Sequence, residues 1–107
     1  MISIFINVRT YTLAVEYYRS TKTLPMPHHL KEQLNRASSS VALNLAEGSA
    51  RRTKVDQRKF FNIAFSSLRE SQAILDLMDN CPAQIRELAD KLAAHLYKLL
   101  QFVTRAV

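Results

Sequence analysis

The sequence predicts an all-α protein, an antiparallel up-down-up-down four-helix bundle, and three observations carry that prediction. One Gly and three Pro punctuate 107 residues that are 48% hydrophobic, which favours long elements over a turn-rich β fold. Apolar residues recur at spacings of three and four through most of the chain. The breakers gather at three places, Thr23 to Pro27, Gly48 to Thr53 and Asn80 to Pro82, and so divide the chain into four segments. A chain of this length is expected to be one domain with a lean core.

Residues 2–8 alternate, with Ile2, Ile4, Ile6 and Val8 on one side, a strand period with no second strand in view. They are expected to form an extended arm, with Asn7 as N-cap of a first helix over about 8–22. Val8, Tyr11, Val15 and Tyr18 are its amphipathic stripe. Pro25 and Pro27 end it, and Pro27 suits the first position of a second helix over about 27–47. Leu30, Leu34, Ala37, Val41 and Leu45 are the inward positions, and Gly48 stands where a left-handed C-cap is wanted. Thr53 and Asp56 resemble a capping box opening a third helix over about 54–79. Pro82 opens a fourth over about 82–105, with Ile85, Leu88, Leu92, Leu96, Leu99 and Val103 inward.

The third helix carries two apolar rows. Phe61, Ala64, Phe65, Leu68, Leu75 and Met78 suffice for a core stripe. Phe60, Ile63, Ile74 and Leu77 form a second row, expected to be an oligomer interface or the shoulder between neighbouring helices. Leu100 and Ala93 on the fourth helix add to the interface reading.

Charge narrows the function. Fifteen Lys+Arg stand against nine Asp+Glu, net +6, which favours polyanionic partners. Arg51, Arg52, Lys54, Arg58 and Lys59 fall within nine residues at the start of the third helix, offset by Asp56 alone. Cations there oppose the helix dipole by about 0.3–1 kcal/mol each, so the spot suits a bound phosphate; the other reading is a solvated turn. No aromatic residues interleave these charges in the way base stacking would want, so backbone contact without sequence preference is expected. A lone cysteine, Cys81, points to a reducing cytoplasm, and no stretch approaches the roughly 20 apolar residues of a membrane span. The apolar start lacks the basic leader of a signal peptide.

Arg36, Ser40, Asn44 and Glu47 share one face of the second helix beside its apolar stripe. They read as a structural polar network, with Arg36 paired to Glu47 or to Glu70 of the third helix. Ser38, Ser39 and Ser40 would let another backbone come close.

This segment, from Arg36-Ala-Ser-Ser-Ser40 through Asn44-Leu-Ala-Glu47-Gly48, then Arg51-Arg52, then Ile63-Ala-Phe-Ser-Ser67-Leu68-Arg-Glu70, resembles the bacterial four helix bundle protein family, also called the 23S rRNA intervening-sequence protein family. The resemblance covers about residues 8–79; Leu45, Ala50 and Ser66 depart from the family's usual Ile, Gly and Gly, and Ser66 is expected to loosen one helix contact. It implies a ring-shaped pentamer with a basic surface and, more distantly, a likeness to the accessory protein of diversity-generating retroelements, which binds a reverse transcriptase and its RNA. The family's name records a gene address in ribosomal RNA and not an activity.

Glu32, Glu70 and Glu87 are followed three residues later by Asn35, Ala73 and Asp90, not by the His of a di-iron bundle. His28 and His29 diverge by about 100° on a helix, and His95 and Cys81 stand alone, so no metal is expected. The serine run lacks a nucleophile elbow, and a single Gly builds no phosphate loop. The expectation is therefore a non-enzymatic homo-oligomer without cofactor that contacts RNA or DNA backbone through the basic turn. The alternatives are an adaptor for a reverse transcriptase or other nucleic-acid enzyme, or a purely structural self-assembling protein.

Overall fold

Four helices account for nearly all of the chain in the computed structural model, which describes residues 2–105, with side chains from Asn7 onward. They are α1 (Ile2–Thr21), α2 (His28–Ser49), α3 (Lys54–Leu77) and α4 (Ala83–Arg105). Each helix packs on the next, and α4 closes the ring against α1, in a body of 41 × 22 × 18 Å. The described residues include no strand.

The boundaries follow the breakers to within two residues. Pro27 is the N-cap of α2 and not its first residue; its carbonyl accepts from the N–H groups of Leu30 and Lys31. Pro82 does the same for Ile85 and Arg86. Thr53 caps α3 as expected, its Oγ1 accepting from Asp56 N–H at 3.1 Å. Asn80 adopts φ 58° in the α3–α4 turn, a left-handed conformation that Asn tolerates better than most residues.

Residues 2–7 continue α1 instead of forming an extended arm, and Asn7 lies inside that helix rather than capping it. With no second strand to pair with and no breaker before Val8, helical bonds satisfy these backbone groups locally. The expected α1 stripe does not face the core: Val8 is 61% and Tyr11 43% exposed, and Val15 and Tyr18 are half-buried. Thr10, Leu13, Ala14, Tyr17 and Thr21 are buried instead. Because α1 is apolar on both sides, periodicity alone did not choose between them. Gly48, finally, is no left-handed cap, since no glycine has positive φ and α2 runs on to Ser49. A Cβ at Gly48 would stand 2.5 Å from Phe61 Cε1 and 3.2 Å from Phe60 Cβ, so Gly48 is the point where α3 meets the end of α2.

The core is aliphatic, with Leu34, Val41, Leu45, Leu68, Leu75, Leu92, Leu96 and Leu99 around Phe61 and Tyr17. Several buried polar side chains in it are paired across helices, although Asn7 Oδ1 and Asn35 Oδ1 are buried without a hydrogen-bond partner. Ser71 Oγ donates to Leu68 O at 2.6 Å, so the Tyr17 hydroxyl 2.8 Å away donates to Ser71. Burial pushes the Tyr17 pKa up to about 12, partly offset by that hydrogen bond. Lys31 Nζ donates to the carbonyls of Thr21, Lys22 and Leu24, placing an ammonium at the C-terminal end of α1, where the dipole favours it.

Candidate nucleic-acid interface

The close approach at Gly48 brings the end of α2 and the first turns of α3 together, and with them the five cations of the basic turn. Arg51 forms an ion pair with Glu47, one turn back. Its guanidinium lies 4.7 Å from the centre of the Phe60 ring, and Lys59 Nζ lies 5.9 Å from the same ring. Lys54 Nζ sits 4.4 Å over Phe102, which ties the basic turn to the last turns of α4. Aromatic rings therefore do underlie these charges, contrary to the reading from sequence. The expectation missed Phe102 because it is 48 residues away along the chain. Arg52 and Lys59 are exposed and Arg58 half-buried. Among the described residues, no carboxylate lies in ion-pair range of Arg52, Lys54, Arg58 or Lys59.

Two further cations join this end. Lys98 and Arg105 line one open cleft with Gln101 and Phe102. Their spacing of seven, visible in the sequence, puts them on one face of α4, and only the packing of α4 on α3 sets that face beside the turn. Arg19 and Lys22, by contrast, belong to the far end, where α1 meets the start of α2. The 22 residues of α2 separate the two ends by about 33 Å. Of the nine side-chain carboxylates, Glu47 and Asp56 alone fall on the segments that make the α2–α3 end, so the chain's excess positive charge concentrates there.

The expected polar network forms only in part. Asn44 Nδ2 donates to Ser40 O and Oγ, and Ser40 Oγ lies 2.8 Å from Ser67 Oγ of α3. Arg36 and Glu70 are exposed with no ion pair among the described residues, and Glu47 turns to Arg51. An exposed Arg36 stays hydrated and needs no carboxylate. The serine-rich segment works instead by size. Ser38 is buried 3.4 Å from Thr21 Oγ1 of α1, and Ser40 meets Ser67, so α2 is held close to both neighbours. Ser66 is exposed and loosens no contact.

The second α3 row breaks up as well. Ile74 is 3% exposed and belongs to the core, because a closed ring of helices buries a wider arc of α3 than one stripe. Ala93 is likewise buried. Phe60 is half-buried under Arg51, while Ile63 and Leu77 remain exposed.

Fold and site together define a small basic four-helix protein in which Arg51, Arg52, Lys54, Arg58, Lys59, Lys98 and Arg105 gather at one end. The family model for the 23S rRNA-intervening sequence protein matches residues 6–105, and the chain belongs to that family. No curated protein and no solved structure matches the chain. No described helix is long and apolar enough to cross a membrane.

Proposed function

We propose that this chain is a non-enzymatic, self-associating bundle that binds the phosphate backbone of nucleic acid, RNA foremost, through its α2–α3 end. One observation carries the reading: Arg52, Lys54, Arg58 and Lys59 share that end without a carboxylate partner, and Lys98 and Arg105 extend it. Cations placed near a helix N-terminus raise the cost of the empty site and suit a bound phosphate. The short connections between helices support the up-down-up-down order, and the single free thiol of Cys81 fits a reducing cytoplasm.

Fluorescence anisotropy of labelled RNA across a salt series tests this reading. Affinity falls with salt along a log–log slope of about −0.7 per single-strand phosphate contact. Arg52→Glu with Lys59→Glu is the informative variant, because both side chains are exposed and outside the Glu47 pair. It is expected to weaken binding evenly across sequences and to flatten the slope by about 1.4, two contacts' worth. Binding indifferent to these substitutions overturns the proposal, and capture of a single protein partner with no affinity for free RNA points to an adaptor.

A further inference from the structure

Two open clefts meet on the outer face of α4 near its C-terminal end. One, of about 530 Å³, is the cation-lined cleft of Lys98, Gln101, Phe102 and Arg105. The other, of about 450 Å³, runs between α3 and α4 and includes Asn62, Phe65, Tyr97 and Leu100. They share Gln101 and Arg105, so an apolar, aromatic wall and a cationic wall adjoin. Tyr97 is 56% exposed, and beyond it Arg69 lies 4.9 Å over the Phe65 ring.

These parts match those of a nucleotide. An exposed tyrosine offers a π-face to a base, the carboxamides of Asn62 and Gln101 offer donors and acceptors to base edges, and Lys98 and Arg105 offer charge to phosphates. Bases within a duplex are stacked internally and cannot reach such a wall, whereas a single strand can splay them. We infer that the α4 face is a single-strand subsite, with Tyr97 as stacking platform and Lys98, Arg105 and Lys54 carrying the backbone on to the basic turn. This inference rests on the phosphate-binding reading above and adds to it a preference for unpaired bases. A second copy of the chain is the poorer occupant, since it would bring another molecule of net charge +6 against Lys98 and Arg105.

The test compares three labelled ligands of equal phosphate number: a single-stranded RNA, its duplex and a base-free ribose-phosphate strand. Each is titrated with wild type, Tyr97→Ala, Tyr97→Phe and Arg52→Glu/Lys59→Glu. Tyr97→Ala is expected to lose about tenfold in affinity for the single strand, the fold-change of one stacked base, and nothing for the base-free strand. Tyr97→Phe keeps the stacking face and the affinity. Equal losses on all ligands, or none on the single strand, overturn the subsite while the backbone reading stands. Failure of wild type to bind any strand overturns both. A change in assembly mass by light scattering for Tyr97→Ala makes this face a contact between copies and overturns the subsite.

Discussion

A methyl group at Gly48 would enter the space held by the Phe61 ring, with Phe60 Cβ behind it. Phe61 is fully buried and cannot swing aside without disturbing the core, so α2 and α3 would have to separate. Gly48→Ala is therefore expected to destabilise by about 1–3 kcal/mol, although Ala is the better helix former by about 1 kcal/mol. Urea unfolding decides it: a lower midpoint shows that packing dominates, and a raised one that helix propensity does. Tyr17 makes a separate case at this scale. Its folded pKa of about 12 lies above the ordinary value of 10.0, so the neutral phenol favours the folded state. Stability is therefore unaffected by this group's titration below pH 10, and roughly 2–3 kcal/mol, from the two-unit shift, is lost as pH rises from 10 through 12 and the buried phenol must ionise. Tyr17→Phe is expected to cost about 0.5–1.5 kcal/mol at neutral pH through the lost Ser71 bond, and to flatten the fall in stability between pH 10 and 12. Parallel wild-type and variant curves in that window would remove Tyr17 from the alkaline transition.

At the scale of the element, the punctuation of this chain was legible and its orientation was not. Proline and threonine set helix ends through bonds to their own neighbours, so Pro27, Thr53 and Pro82 could be read locally. Which side of α1 turns inward depends on α2 and α4, because Leu13, Ala14 and Tyr17 and the opposite Val8, Tyr11 and Val15 are comparably apolar. The buried partners Ser71 for Tyr17 and Ser38 for Thr21 settle the choice, and they lie on other helices. The candidate site shows the same division. Arg51 through Lys59 are contiguous and stood out by density, whereas Lys98, Phe102 and Arg105 join them only through the packing of α4 on α3. Ile74 failed as an interface residue for a related reason: a row seen on an isolated helix does not reveal how wide an arc its neighbours cover.

For the whole molecule, the outward side of α1 is the strongest argument for self-association. That side mixes apolar with polar residues, yet Val8 and Tyr11 stand in solvent with Val15 and Tyr18 half-covered beside them, a contiguous apolar strip of the kind that marks an interface. Glu16 and Arg19 edge the same face, so a second copy meets mixed charge there and not the repulsion of the cationic end. Contact between this face and a different face of the next copy repeats head-to-tail and closes into a ring if the rotation permits, whereas contact between two α1 faces stops at a dimer. In a ring each copy repeats the cationic end, and the summed field raises affinity for a polyanion above that of one bundle. Tyr11→Glu with Val15→Glu places two charges on this face without touching the core stripe. The variant is expected to stay helical by circular dichroism, to run as a monomer in light scattering at concentrations where wild type is larger, and to bind long RNA more weakly than wild type while short oligonucleotides bind both alike. A wild-type monomer, or an unchanged mass in the variant, would show that α1 is not the contact. A monomer that binds long RNA undiminished would separate assembly from binding and leave one bundle as the functional unit.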